Sequence, residues 1–324
     1  MKFLSKKTYL TYDDVLLAPG KSLPSRSEVI LPNIIIPAPM DTVSGEKLVE
    51  KQLSLGGVGI LHRYLDEKTK LKFLKENQTS RTKYCFISVG LNENEIFNLF
   101  EEGCDNFCID IANGWNSRAL KIIKSLSRCD CKVIAGNVAT WEGYKAVAEA
   151  GAHYIRVGIG GGSLCTTRLV TGIGIPQFSA IYDIAKKKHK FPGVKLIADG
   201  GIRHSGDIVK ALAVGADYVM AGQLFAGTDE APGKEENGKK VYRGMASLDA
   251  QVNAYGVEPI APEGASTFVS KKGPYENVLK GLLMGVKSGM SYLNARTLSE
   301  LRKNARFIKI SDNTLIENHP HAII

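Results

Sequence analysis

The run from Val157 to Arg168 is VGIGGGSLCTTR, in which glycines crowd the approach to Cys165 and two threonines and an arginine follow it. A loop so poor in side chains lets backbone approach a ligand closely and adopt positive φ. A thiol presented on it is a candidate nucleophile rather than a packed hydrophobe. Because a free thiol is only slightly ionised at neutral pH, this chemistry needs N–H groups or a base beside the sulfur. The other cysteines have different settings. Cys129 and Cys131 are too tightly spaced for a zinc knuckle and no second Cys/His pair answers them, while Cys85 and Cys108 lie in apolar runs and are expected in the core.

A loop of this kind must be held by something, and the chain supplies a rhythm. Short β-rich runs recur at residues 34–37, 58–61, 85–89, 107–111, 132–135, 154–157, 195–198 and 218–221. The segments between them have helical periodicity, as at 92–102, 117–126 and 140–150. Asn92 ahead of a Glu-rich turn and Thr140 ahead of Trp-Glu are N-terminal signals. Strand and helix alternating eight times argue a parallel sheet closed into a (β/α)₈ TIM barrel of the α/β class. No GxGxxG follows the first strand, which removes the support for an open doubly wound sheet. Residues 228–274, rich in polar residues, glycine and proline, show no strong period and are expected to form a long flap after strand eight. A final helix is expected at 275–292, followed by a polar tail beyond Ile310.

Catalytic groups in such a barrel gather at the C-terminal ends of the strands. Those ends carry Met40, His62 and Arg63, Asp110 with Asn113 and Gly114, Asn137, the cysteine loop, Asp199-Gly200-Gly201, and Gly222-Gln223. Backbone N–H groups after strands seven and eight commonly hold phosphate. Ser163 adds a hydroxyl, and Asp199, which would repel phosphate, suits ribose hydroxyls. A nucleoside monophosphate is the natural ligand. His62 is expected to be a hydrogen-bonding rim residue and Trp115 a packing residue.

Composition excludes several alternatives. At 324 residues, 44% hydrophobic and 23% charged, the chain has the make-up of a soluble globular protein that could be one barrel. No apolar run approaches the roughly 18 residues of a membrane span. The start, MKFLSKKTYLTYDD, lacks a signal-peptide core, so the expected place is the cytoplasm. The formal charge of +9 is spread along the chain without a basic block interleaved with aromatics. That pattern argues against nucleic acid and suits capture of a small anion.

Five separated motifs, GGGSLCTTR, IADGGI (197–202), YRGMAS (242–247), TYDDVLLAP (11–19) and PMDTV (39–43), together resemble the IMP dehydrogenase/GMP reductase family, from about residue 8 to residue 309. The resemblance implies a (β/α)₈ barrel acting on a purine nucleotide through a cysteine adduct at purine C2. It implies Cys165, Thr167 and Glu263 as catalytic residues. Met40, Ser163, Asp199, Gly200, Gly201, Gly222, Gln223, Tyr242, Gly244 and Met245 would bind substrate. Asp110, Ala112, Asn113, Gly114 and Asn137 would line the nicotinamide side. A monovalent cation, potassium, would rest on the backbone of Gly160, Gly162 and Cys165, and the assembly would be a homotetramer.

Within the family the expected activity is that of GMP reductase. In it, Cys165 attacks C2 of GMP, Thr167 and Glu263 protonate the departing ammonia, and hydride from NADPH gives IMP. Residues 62–84 leave no room for the paired CBS domains usual in dehydrogenases, so 1–324 is expected to be a single catalytic domain. Residues 246–262, ASLDAQVNAYGVEPIAP, lack the Arg-Tyr pair by which dehydrogenases activate water, and IDIANGWN (109–116) is of reductase type. YRGMASL, EAPG (230–233) and Arg63 are closer to the dehydrogenase pattern. An IMP dehydrogenase without CBS domains, using NAD⁺, and a non-catalytic nucleotide-binding barrel are the alternatives.

Overall fold

The computed structural model describes residue 4 and residues 7–77, 84–256 and 261–318. Eight parallel strands form its centre: β1 (Ile35–Pro37), β2 (Gly59–Leu61), β3 (Cys85–Val89), β4 (Asn106–Asp110), β5 (Lys132–Val138), β6 (Tyr154–Val157), β7 (Lys195–Asp199) and β8 (Tyr218–Ala221). Each expected strand is present, and the largest departure is β5, which runs three residues further than its apolar run. The ladder passes from β2 through β3 to β8 and on to β1, wrapping the sheet into a barrel.

Alternation builds two cores. Ile36, Ile60, Phe86, Cys108, Ile134, Ile197 and Met220 fill the barrel interior. Their neighbours Ile35, Leu61, Ile87, Phe107, Val133, Leu196 and Val219 face the surrounding helices. Strands buried on both faces have to be apolar throughout, which is why they stand out as short continuous runs. Cys85 and Cys108 sit in these layers, and burial pushes both thiols up to about 12.

One principal helix follows each strand: α1 (Glu46–Ser54), α2 (Glu67–Glu76), α3 (Glu93–Glu101), α4 (Ser117–Arg128), α5 (Trp141–Glu149), α6 (Gln177–Ala185), α7 (Ser205–Val214) and α8 (Tyr275–Ser291), and α8 is not the last, since short helices follow at Leu298–Asn304 and Asp312–Glu317. Asn92 caps α3 by accepting the N–H groups of Asn94 and Glu95, and Thr140 caps α5 by accepting that of Gly143. The 62–84 connection holds α2, and its residues 78–83 lie outside the described residues. Among the described residues no helix is long and apolar enough to cross a membrane.

No ladder joins β1 to β2, and a side chain spans that seam instead. Gln52 of α1, fully buried, donates from Nε2 to the carbonyls of Ile35 (2.8 Å) and Val58 (3.1 Å). Its Oε1 accepts from Asn33 Nδ2 (3.0 Å) and the Tyr275 hydroxyl (2.5 Å). One buried amide thus uses its full donor and acceptor capacity on four partners.

The long segment after β8 has secondary structure that its weak periodicity did not display. It carries an antiparallel sheet of β9 (Glu235–Glu236), β10 (Lys239–Arg243) and β11 (Ser266–Ser270), and a helix at Leu248–Tyr255. In β10 the inward positions are Lys240 and Tyr242, so a buried lysine masks the alternation in sequence. Its ammonium donates to the carbonyls of Thr228 (2.9 Å), Asp229 (3.2 Å) and Ala231 (2.7 Å), which is what makes its burial tolerable. Residues 257–260 of the flap lie outside the described residues, as do 319–324 of the tail. Near the chain ends Val15–Leu17 pairs antiparallel with Phe307–Lys309.

Candidate active site

The cysteine loop leaves β6 at a forced glycine. Gly158 has φ +149°, and a Cβ there would stand 2.0 Å from the Asp199 carbonyl oxygen. The loop then turns through Gly160 (φ +80°) and closes with the Cys165 N–H donating to Gly162 O at 3.1 Å. A short helix, Thr167–Thr171, follows. The flap lies against this loop: Thr166 N donates to Glu263 O (3.0 Å) and Ala265 N to Leu164 O (2.9 Å).

This docking produces a directed chain of polar groups. The Cys165 thiol donates to Thr167 Oγ1 at 3.2 Å, and the Thr167 hydroxyl donates to Glu263 Oε2 at 2.7 Å. A carboxylate two hydrogen bonds from a thiol can draw off its proton as the sulfur becomes a nucleophile and return it to a leaving group. Cys165 is partly exposed, at the wall of a cleft of about 340 Å³ at the C-terminal mouth of the barrel.

Every residue expected to bind substrate lines that cleft: Met40, Ser163, Asp199, Gly200, Gly201, Gly222, Gln223, Tyr242, Gly244 and Met245. Glycine lets three loops meet here. A Cβ on Gly200 would stand 3.2 Å from the Gly161 carbonyl carbon, and one on Gly222 would stand 2.7 Å from Met40 Sδ. Ser163 Oγ and the Tyr242 hydroxyl are 3.0 Å apart, and burial raises the Tyr242 phenol so that it remains a neutral O–H.

Asp110, Ala112 and Asn137 also line the cleft, whereas Asn113 and Gly114 do not. Asn113 Oδ1 accepts the Trp115 N–H at 3.0 Å in a local turn. Gly114 packs against Gly136, with its N–H on Asn137 O at 2.9 Å, so it shapes the wall from behind. Trp115 is half exposed and off the cleft. His62 differs from expectation: it is 5% exposed, and among the described residues its Nδ1 has no hydrogen-bond partner. Burial pulls its imidazole down to about 4.

Sequence reasoning missed Arg156. Its Nη1 donates to Asp110 Oδ1 (2.5 Å), and its Nε (3.0 Å) and Nη2 (2.9 Å) reach Asp199 Oδ2. Asn137 Nδ2 donates to the same Oδ2 at 2.8 Å. Among the described residues no hydrogen bond occupies Asp199 Oδ1, and Asp199 lines the cleft. The available signal was a charged residue inside the apolar run YIRV, at a position whose neighbours alternate into the barrel.

A thiol, hydroxyl and carboxylate in line, on a glycine loop facing a cleft with an open aspartate, agree with the family model for the IMP dehydrogenase/GMP reductase domain, which matches residues 9–321. The chain belongs to the IMP dehydrogenase/GMP reductase family. Its curated relatives include inosine-5′-monophosphate dehydrogenases of Halalkalibacterium halodurans, 44% identical over 238 residues, and of Aquifex aeolicus, 44% identical over 239 residues. Each match covers 69% of this chain and 49% of the relative, so the chain spans about half the length of the curated relatives it matches. The Streptococcus pyogenes protein of the same name is 44% identical over 241 residues, with the same coverage. The relatives with this similarity bear the dehydrogenase name, which agrees better with the alternative of an IMP dehydrogenase without CBS domains than with the expected reductase.

Proposed function

We propose that this chain oxidises IMP at purine C2 through a covalent Cys165 adduct, with a nicotinamide dinucleotide, NAD⁺, as hydride acceptor. The single observation that carries the chemistry is the Cys165–Thr167–Glu263 chain at 3.2 and 2.7 Å. The direction rests on the names of the relatives. The thiol proton passes through Thr167 to Glu263 as sulfur bonds to C2, and Glu263 releases it to solvent once C2 has lost its hydride; the carboxylate then takes a proton from the water whose oxygen bonds to C2 as the C2–S bond breaks and the thiolate leaves. Asp199 Oδ1 accepts from ribose hydroxyls, Gly200, Gly201, Gly222 and Gln223 cradle the phosphate, and Ser163 and Tyr242 add hydroxyl donors. The wall of Asp110, Ala112 and Asn137 fits a nicotinamide ring, since it is open to the cleft beside Cys165. When bound there, the dinucleotide supplies the hydride acceptor. The cation implied for Gly160, Gly162 and Cys165 enters no step, and one lone pair of Gly162 O is already used by the Cys165 N–H.

A specific observation favours a second reading, GMP reduction with NADPH. The arginines lining the cleft, Arg63, Arg156 and Arg203, all face carboxylates, so among the described residues none is free to polarise a water beside Cys165. With water poorly activated, the adduct would be discharged by hydride instead. The test is the absorbance of reduced nicotinamide in two parallel wells, one with IMP and NAD⁺ and one with GMP and NADPH. A rise in the first supports the dehydrogenase. A fall in the second with the first flat transfers the assignment to the reductase. Flat traces in both, with nucleotide bound, would leave a non-catalytic nucleotide-binding barrel.

A further inference from the structure

Charges of alternating sign line the cleft in strand order: Arg63 after β2, Asp110 at the end of β4, Arg156 in β6 and Asp199 at the end of β7, each touching the next. Arg156 is the one member that contacts both carboxylates, and it is 7% exposed. The barrel makes room for it. Asp110, Gly136 and Arg156 are register partners across β4, β5 and β6, and a Cβ on Gly136 would stand 2.7 Å from the Cβ and carbonyl oxygen of Arg156. The strand between Asp110 and Arg156 thus carries no side chain where the guanidinium crosses.

We propose that Arg156 is a positioning residue that couples the two halves of the cleft, so that purine nucleotide bound at Asp199 and dinucleotide bound at Asp110 strengthen each other. This rests on the roles given to Asp199 and Asp110 under the proposed function. A guanidinium is a planar fork whose N–H directions are fixed relative to one another. Two of its nitrogens hold Asp199 Oδ2 and a third holds Asp110 Oδ1, so the orientation of one carboxylate sets that of the other. Nucleotide that orders Asp199 through its open Oδ1 therefore orders Asp110 before the dinucleotide arrives. The second ligand meets a wall already in place, and by linkage the effect is equal in the reverse order. Lysine in this place keeps the positive charge and loses the fork. Methionine loses both and leaves two carboxylates facing one another without a cation.

The test is calorimetric titration of the full chain carrying Cys165→Ala, which prevents turnover. IMP and NAD⁺ are each titrated alone and with the other saturating, in that parent and with Arg156→Met or Arg156→Lys added. In the parent each ligand is expected to tighten the other by a factor of about 5–150. The factor is expected to fall to about one in Arg156→Met and to an intermediate value in Arg156→Lys. A parent factor of one overturns the proposal, as does a parent-like factor in Arg156→Met. Should Arg156→Met fail to fold, a parent-like factor in Arg156→Lys overturns the fork argument by itself. If the parent binds neither ligand, the proposed function falls as well. Binding of both with coupling unchanged by the variants removes only the role of Arg156.

Discussion

Thr167 and Glu263 are 96 positions apart in the chain, yet the Thr167 hydroxyl donates to Glu263 Oε2 at 2.7 Å. The bond joins the helix that follows the cysteine loop to the returning arm of the flap. The carboxylate is therefore delivered to the sulfur only when the flap is seated, and seating is secured by backbone bonds from Thr166 and Ala265.

Glu263→Gln keeps the size of the side chain and removes its basicity. Turnover is expected to fall by about 10²–10⁴-fold, the usual worth of a positioned acid–base group. Thr167→Val should cost a comparable amount, and Thr167→Ser should restore most of it because the hydroxyl returns. Steady-state rates of the three variants check this. A Val variant as active as the Ser variant would remove Thr167 from the relay.

Cys165→Ala deletes the proposed nucleophile while leaving Asp199, Ser163 and Tyr242 to hold the nucleotide. Turnover is expected to drop by at least about 10³-fold, with nucleotide affinity changed little. Single-turnover rates beside equilibrium titration decide it. Substantial remaining turnover would sink the covalent route.

Gln52→Leu replaces a buried amide of similar size and strips partners from Ile35 O, Val58 O, Asn33 and Tyr275 at once. Buried polar groups left unpaired cost about 1–3 kcal/mol each, and relaxation recovers part, so a loss of about 2–4 kcal/mol is expected. Urea unfolding measures it. A change below about 1 kcal/mol would show that the β1–β2 seam does not depend on this side chain.

His62 gives the fold an acid-sensitive element. Burial lowers its folded value to about 4, whereas the unfolded chain titrates near the ordinary histidine value. Between those values the unfolded state binds the extra proton, so stability falls as pH drops and is fully present above the unfolded value. The contribution lost between pH ~7 and pH ~5 is about 2 kcal/mol. Unfolding of wild type and His62→Leu at the two pH values checks this, and the variant should show a smaller acid loss. An equal loss in both would assign the acid sensitivity elsewhere.

The barrel strands were legible because burial on both faces demands short, unbroken apolar runs, and Asn92 and Thr140 mark helix starts in the local sequence. The cysteine loop was legible because glycine density is itself a statement about backbone geometry. The β10–β11 pairing was not, since Lys240 occupies an inward position and reads as surface until its three carbonyl partners are assembled. Arg156 was hidden for the same reason: its meaning lies in two carboxylates on other strands.

Local composition was thus enough for the eightfold β/α rhythm, the family motifs and the cysteine as the candidate nucleophile. The line from Cys165 through Thr167 to Glu263, the bridge from Asp110 through Arg156 to Asp199 and the Gln52 seam belong to tertiary structure. Each is a contact between residues distant in the chain, and its geometry exists only once closure of the barrel and docking of the flap have offset the entropy of bringing those segments together.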